Sequence, residues 1–166
     1  MPTKFHPSID TFRVMTDSED DHDLLDQLAR LSDVEKLTLE VGNQSIFLVK
    51  IKNTSTSRQG WEFLQQYLTD QEAVEPIMID EAGHNLIPTG AISVRFTNVS
   101  TETEIEKFSC QFNLILEKVN QYIPQQLIFR PLKLSEIFLP DLIQSISKIK
   151  GVEAAWANAY ARYQRI

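Results

Sequence analysis

The first half of the chain alternates between two hydrophobic periodicities. Apolar residues at helical spacing begin near Leu24 and again near Trp61, and each set predicts an amphipathic helix. The first of these helices is expected to bury Leu24, Leu28 and Leu31. Strands with alternating apolar positions are predicted at 12–15, 37–41, 46–51 and 73–80. The pair Gly42-Asn43 separates the second and third strands and is typical of a hairpin turn. The predicted order is β-α-β-β-α-β.

The second half repeats this order with clearer end signals. Thr101 and Glu104 have the spacing of a capping box and predict a helix over 101–112. Pro140 suits the first turn of the last helix, and Gly151 stands just beyond its end. That helix is expected to bury Leu142, Ile146 and Ile149. Strands are predicted at 91–96, 114–119, 126–132 and 152–160.

The two halves also show a weak internal sequence match. "AVEP" beginning at Ala73 corresponds to "GVEA" beginning at Gly151, and the same interval carries Val14 onto Ile92. A β-α-β-β-α-β order is that of the ferredoxin-like arrangement. The sequence therefore predicts an α+β fold of two tandem ferredoxin-like units with antiparallel sheets. The first unit is expected at 1–83, a linker at 84–90, and the second unit, with a C-terminal tail, at 91–166.

Composition narrows the possible class of protein. Hydrophobic residues make up 42% of the 166 positions, enough for a core, and the net charge of −7 disfavours a broad nucleic-acid-binding surface. No apolar stretch is long enough to span a membrane, and the N-terminus lacks the apolar segment of a signal peptide. With a single cysteine, Cys110, the chain is expected to be cytoplasmic, with neither nucleic acid nor membrane as a partner.

No pattern in the sequence predicts catalysis. A hydrolytic triad needs a nucleophile, a base and an orienting acid, but Ser100 lies near a helix start, where a capping or turn role is expected. The histidines, His6, His22 and His84, are far apart in sequence and do not predict a zinc site. Cys110 has no evident activating base. The chain is therefore expected not to be an enzyme.

Other ligand sites are also disfavoured. The acidic run at 17–23 lacks the spaced ligands and central glycine of a calcium loop and suits a helix start instead. The five glycines form no phosphate-binding loop. Arg95 and Asn98 do not have the loop spacing of an acylphosphatase. The sequence thus predicts no cofactor and no metal.

Three stretches resemble a known family. "IPTGAISVRF" (87–96), "VSTETEIEKF" (99–108) and "ISKIKGVEAAWANAY" (146–160) resemble, in this order, the N-terminal propeptides of bacterial subtilisin-like serine proteases, the fervidolysin type especially. In the last stretch, Gly151, Val152, Glu153, Ala155 and Asn158 match the family pattern. The chain departs from that pattern at Trp156, where Glu is usual, and at Ala157, where Pro is usual.

The resemblance implies a protein that folds or inhibits a subtilisin-like serine protease and is not itself catalytic. In that family the sheet packs on the enzyme and the C-terminal tail lies in its substrate cleft. Contacts are accordingly expected from the tail, namely Tyr160, Arg162, Tyr163, Gln164, Arg165 and Ile166. Contacts are also expected from a sheet surface comprising Ile92, Val94, Phe96 and Trp156. Two alternatives are a protein-interaction or scaffold module without a protease partner, and an N-terminal fragment of a longer subtilase.

Overall fold

The chain has an α+β fold with antiparallel sheets. The structure, a computed structural model, describes residues 5–16, 22–31, 33–41, 44–69 and 72–160. These residues form two compact units. The C-terminal unit is Thr89–Asn158, and the N-terminal unit combines the chain up to Pro88 with Ala159 and Tyr160.

The N-terminal unit contains a five-stranded sheet and two helices. Its elements are β1 (Phe5–Thr16), α1 (His22–Ala29), β2 (Val34–Val41), β3 (Gln44–Ile51), α2 (Ser57–Gln65), β4 (Glu72–Asp80) and β5 (Asn85–Leu86). The strands lie in the order β2-β3-β1-β4-β5. The central strand β1 pairs with both β3 and β4. The acidic run and the Gly42-Asn43 turn lie largely outside the described residues. The predictions made for them are therefore not tested.

One face of this sheet carries the core that the periodicity predicts. Phe12 and Val14 of β1 pack in one cluster with Leu24 and Leu28 of α1 and Leu64 of α2. Leu31, the third predicted residue, is partly buried against the same cluster. The approach of α2 to β1 is very close, because a Cβ at Gly60 would lie 2.6 Å from the Phe12 ring. Both helices therefore cover this face, which we call the helical face of the N-terminal sheet.

The strands of this unit extend beyond the sequence prediction. The strand β1 begins at Phe5, and its register with β4 shifts between Pro7 and Phe12. Pro76 lies inside β4. Because only Met78 and Ile79 of β4 pair with β5, the missing N–H of Pro76 interrupts no hydrogen bond to that strand. The predicted linker, 84–90, contains β5 and the start of the next strand.

The C-terminal unit contains a four-stranded sheet and two α-helices. Its elements are β6 (Pro88–Phe96), α3 (Glu102–Phe112), β7 (Leu114–Val119), β8 (Gln126–Pro131), a short 3₁₀ turn (Leu134–Glu136), α4 (Leu139–Ser147) and β9 (Val152–Ala159). The strands lie in the order β7-β8-β6-β9. The expected order of strands and helices is therefore present.

The ends of the two helices follow the local sequence signals. The capping box is confirmed: Glu104 N donates to Thr101 Oγ1 at 3.2 Å, and Thr101 N donates to Glu104 Oε1 at 3.0 Å. Pro140 occupies the first turn of α4. Gly151 has a φ of 91°, a left-handed conformation in which a Cβ is disfavoured. Ile146 is fully buried, whereas Leu142 and Ile149 are half-buried.

Within the described ranges, the helices are too short or too polar to traverse a lipid bilayer.

Candidate functional site

The C-terminal sheet has one face that packs against helix α3. Ile92 and Val94 of β6 are fully buried, and the ring of Phe96 lies 5.2 Å from that of Phe108 on α3. Phe108 also contacts Phe129 of β8, which is paired with Ile92. Ile92, Val94 and Phe96 therefore belong to the core of the unit. That these three side chains contact an enzyme stays a prediction, and within the unit they lie on the side of the sheet that faces α3.

The alternate residues of the same strands form the opposite surface. Successive side chains of a strand point to opposite faces, so Ser93 and Arg95 point away from α3. Ser93 pairs across the sheet with Ile128, and its hydroxyl donates to Asn158 Oδ1 on β9. We call this surface the open face of the C-terminal sheet because it lies opposite α3; the name does not refer to exposure, since Ser93 is 2% exposed and the side chains around it are half-buried. Its central residues are Ser93, Arg95, Gln126, Ile128, Trp156 and Asn158.

Arg95 and Trp156 form the most specific feature of the open face. The Arg95 guanidinium lies 5.6 Å from the centre of the Trp156 ring, within the range of a cation–π contact. Arg95 Nη2 also donates to Gln126 Oε1 at 3.0 Å, and both side chains are directly opposite across β6 and β8. Two contacts thus hold the guanidinium in place. Trp156 supplies one of them.

A second arginine lies further along the same face. Arg130 is paired across the sheet with Ile115 of the edge strand β7, and its Nε lies 2.6 Å from Glu117 Oε1. The ion pair compensates the charge of Arg130 locally. Ile115 beside it is 50% exposed, which is high for a large apolar side chain in a strand. The open face therefore combines an aromatic ring, aliphatic side chains and a preorganised cation.

A histidine and a carboxylate meet in the turn after β4. His84 Nδ1 lies 3.1 Å from Asp80 Oδ2, but Asp80 Oδ1 also accepts from the backbone N–H groups of His84 and Ala82. These bonds close the turn between β4 and β5. The backbone N–H of His84 is the main reason that the pKa of Asp80 is lowered from its ordinary value. The pair accordingly has a structural role in this turn.

Ser100, Cys110 and His6 are the other described residues that sequence analysis considered as a nucleophile or a ligand. Ser100 is half-buried next to Thr101, which is the residue that caps α3. Cys110 is exposed on α3 beside a shallow depression, and His6 is exposed on β1. In the part of the chain that the structure describes, no group of three or more His, Cys, Asp or Glu side chains is placed to hold a metal ion. The side chain of His22 lies outside it.

Only the first residue of the predicted tail is described. Tyr160 N donates to the carbonyl oxygen of Ile87 at 3.1 Å, and its ring lies 5.2 Å from the Arg13 guanidinium. The Tyr160 ring also packs against a buried cluster in the N-terminal unit, which consists of Ile46, Leu48, Ile77 and Ile87. Tyr160 is thus engaged within the chain. Arg162, Tyr163, Gln164, Arg165 and Ile166 lie outside the described residues.

No protein-family model matches the chain, and neither a curated protein nor a solved structure shows significant similarity to it.

Proposed function

We propose that this chain is a non-catalytic protein that binds a subtilisin-like serine protease and acts as its inhibitor or folding partner. The open face of the C-terminal sheet, centred on Arg95 and Trp156, is the proposed contact surface. The observation that carries the proposal is the fixed Arg95–Trp156 pair on a sheet face opposite α3. The choice of partner comes from the resemblance of 87–160 to subtilase propeptides.

The strand orders support a ferredoxin-like fold for each unit. In the C-terminal unit the first strand, β6, lies between the third, β8, and the fourth, β9, while the second, β7, occupies an edge. The first four strands of the N-terminal unit have the equivalent order, and β5 is added at the edge. We propose two tandem ferredoxin-like units on this basis. In such a unit the helices lie on one face of the sheet, and the other face carries no helix of the unit.

The composition of the open face suits a protein interface. Trp and Arg are the residues most enriched among those that dominate binding energy, and apolar neighbours exclude water around them. Trp156 is half-buried and held by Arg95, so little side-chain freedom would be lost on binding. A sheet face of this composition can bind an enzyme outside its active site. Catalysis is not part of the proposal.

The proposed inhibitor also uses its C-terminal segment. An extended segment can add as a strand to an exposed strand of a protease cleft, with backbone hydrogen bonds supplying affinity. Tyr163 would supply an aromatic side-chain contact in that arrangement. Because Tyr160 is occupied within the N-terminal unit, we assign the segment's contacts to residues after it.

The test measures inhibition of a panel of subtilisin-like proteases by the intact protein and by two variants of the open face, Trp156→Ala and Arg95→Ala. Each variant is expected to weaken inhibition about tenfold or more, since a central interface residue contributes about 2 kcal/mol or more. Lys107→Ala, on the exposed surface of α3, is the matched control and should inhibit as the wild type does. The protein alone should release no peptide from casein.

Absence of inhibition by the intact protein at micromolar concentration would reject the proposal. Equal inhibition by all variants would move the contact away from the open face. Casein cleavage that persists with a serine-protease inhibitor and a chelator present would contradict the non-catalytic assignment.

An interaction module without a protease partner is the second candidate function. The observation in its favour is that Trp156 and Ala157 depart from the family pattern next to the tail. The same open face would then bind a different protein. In that case Trp156→Ala would abolish binding to that partner, while no subtilase would be inhibited.

A further inference from the structure

The edge strand β7 carries a concentration of exposed apolar side chains. It lies at one side of the C-terminal sheet, where β8 is the described strand that pairs with it. Most of the large apolar side chains that are exposed among the described residues lie on β7, on the hairpin that joins it to β8, or beside its first residues. They are Ile115, Val119, Tyr122, Ile123 and Leu132. Exposed apolar side chains along a sheet edge are typical of a surface to which another strand adds.

A β-bulge changes the order in which the side chains of β7 alternate between the two faces. Residues directly opposite each other in a sheet share a face, so the register with β8 puts Leu116 and Val119 on the face of α3 and Lys118 on the open face. Glu117 is the extra residue of the bulge, because the register shifts between Leu116 and Lys118. The carboxylate of Glu117 contacts Arg130 Nε, which places it on the open face as well.

This order of faces is the same in both directions from the midpoint between Glu117 and Lys118. When a second β7 strand is placed antiparallel around this midpoint, Glu117 lies opposite Lys118 of the other copy, on the open face. Leu116 then lies opposite Val119 of the other copy, on the face of α3. In a strand without the bulge, Glu117 and Lys118 would point to opposite faces and could not pair in this way. The strand β7 is therefore complementary to itself in charge and in apolar pattern.

We propose that β7 is an interface between two copies of this chain, which associate by antiparallel pairing of their β7 strands. Charged side chains on an edge strand disfavour pairing with an unrelated strand, because the charges would be left without partners. In the alignment of β7 with itself each charge meets the opposite sign, so a second copy is the occupant that fits this edge. Residues 89–158 also contain equal numbers of basic and acidic side chains, and two C-terminal units therefore do not repel each other through net charge.

The same alignment gives the exposed hairpin a place in the interface. Asn120 Oδ1 accepts from the backbone N–H groups of Tyr122 and Ile123, at 2.9 and 3.1 Å, so the hairpin is ordered although the Tyr122 side chain is 91% exposed. Antiparallel pairing brings this hairpin towards the first residues of the other β7. Leu132 lies beside them, because its N–H donates to the carbonyl oxygen of Asn113. Exposed apolar side chains of both copies would thus meet at each end of the paired strands.

Sedimentation equilibrium of the intact protein is the first measurement. The average mass should rise from 19.1 kDa towards twice that value as the protein concentration is raised. Lys118→Glu places a Glu opposite Glu117 of the other copy and should weaken the dimer about tenfold or more, because an attractive contact becomes repulsive. Lys150→Glu makes the same change of charge at an exposed position before β9 and should behave as the wild type. The fluorescence of Trp156, in the same unit, verifies that each variant is folded.

A mixture of two variants tests the alignment itself. Glu117→Lys alone should also weaken the dimer about tenfold, because the new Lys lies opposite Lys118 of the other copy. When Lys118→Glu and Glu117→Lys are mixed in equal amounts, each position again meets the opposite charge, and a heterodimer should form with about the wild-type affinity. If Glu117→Lys does not fold, because it also loses its ion pair with Arg130, the comparison of Lys118→Glu with Lys150→Glu still decides the inference.

Three results would overturn the proposal. The first is a mass that stays at 19.1 kDa at every concentration. The second is a dimer that Lys118→Glu leaves unchanged, since the interface would then lie elsewhere. The third is a pair of weakened variants whose mixture does not associate, which would contradict the antiparallel alignment. None of these measurements involves a protease, so their outcome is separate from that of the inhibition test.

Discussion

The two sheets share an order of four strands but differ in the face opposite their helical core. In the N-terminal sheet this second face carries the buried cluster of Ile46, Leu48, Ile77 and Ile87. In the C-terminal sheet the equivalent face carries Ser93, Arg95, Trp156 and Asn158, with hydrogen bonds and a cation–π contact between them. One strand order can therefore carry either an apolar cluster or a set of polar and aromatic side chains on the face opposite its helices.

The central residue on the face opposite the helices differs between the two sheets. Arg13 on β1 and Ser93 on β6 both lie on the strand between the third and fourth strands of their unit. Arg13 is opposite Leu48, and Ser93 is opposite Ile128. Leu48 is fully buried, whereas Ile128 is half-buried. The two central residues are both buried, and the positions differ in the burial of the aliphatic residue opposite each of them.

The largest expected effect comes from truncating Leu48 and Ile128, the aliphatic residues opposite Arg13 and Ser93. Leu48→Ala should lower the free energy of unfolding of the N-terminal unit by about 2–5 kcal/mol, because it leaves a cavity in a closed cluster. Ile128→Ala should cost the C-terminal unit about 1 kcal/mol. Urea unfolding can be followed for each unit through its own tryptophan, Trp61 or Trp156, after the other is replaced by Phe.

Equal losses at Leu48 and Ile128 would show that the two second faces are buried to the same extent. The proposed difference in apolar burial between the two sheets would then be wrong.

A smaller difference is expected at the central polar residues. Arg13→Ala should cost the N-terminal unit about 1.5–3 kcal/mol, because a charged donor to the Pro88 carbonyl is lost in a buried site. Ser93→Ala removes one neutral hydrogen bond to Asn158 and should cost the C-terminal unit about 1 kcal/mol. The same single-tryptophan urea titrations provide both values. A larger loss of unfolding free energy for Ser93→Ala than for Arg13→Ala would contradict the expectation that the Arg13 contacts contribute more to stability.

The smallest expected effect is a difference in acid sensitivity. The backbone N–H of His84 lowers the pKa of Asp80 in the N-terminal unit from its ordinary value of 3.8, and that of Thr101 lowers the pKa of Glu104 in the C-terminal unit from 4.5. Each carboxylate therefore stabilises its unit at pH values above its ordinary pKa. This contribution to the free energy of unfolding is lost as the pH falls through the lower pKa of the folded state.

Neutral variants test this contribution one unit at a time. Asp80→Asn should reduce the acid-induced loss of stability in the N-terminal unit alone, and Glu104→Gln should do so in the C-terminal unit alone. Single-tryptophan urea titrations at several pH values between about 2 and 6 would measure it. An unchanged pH dependence in both variants would show that the two carboxylates do not titrate differently in the folded and unfolded chain.

Local sequence signals predicted the elements with strong periodicity or end signals. The capping box at Thr101, Pro140 in α4 and the buried positions Leu24 and Leu28 follow from chemistry within a few residues. The strand β5 escaped prediction because its two residues are too few to show an alternating pattern. The early start of β1 also escaped prediction, since the register shift after Pro7 breaks the alternation.

The candidate site was predictable only in part. The sequence indicated Trp156 as a contact residue, and the structure places it on the open face with Arg95. The pattern of Ile92, Val94 and Phe96 showed that these residues share one face of a strand. It did not show which face packs against α3, because alternation fixes two faces without stating which one meets a helix.

The sequence by itself determined the order of helices and strands, since hydrophobic periodicity and capping act over one or two turns of chain. Only the tertiary structure decided the partners of Arg13 and Arg95. Arg13 meets Pro88 and Tyr160 across most of the chain length, and Arg95 meets Trp156 from another strand. Contacts of this kind depend on strand order and register, which bring distant residues together and leave no periodic trace in the sequence.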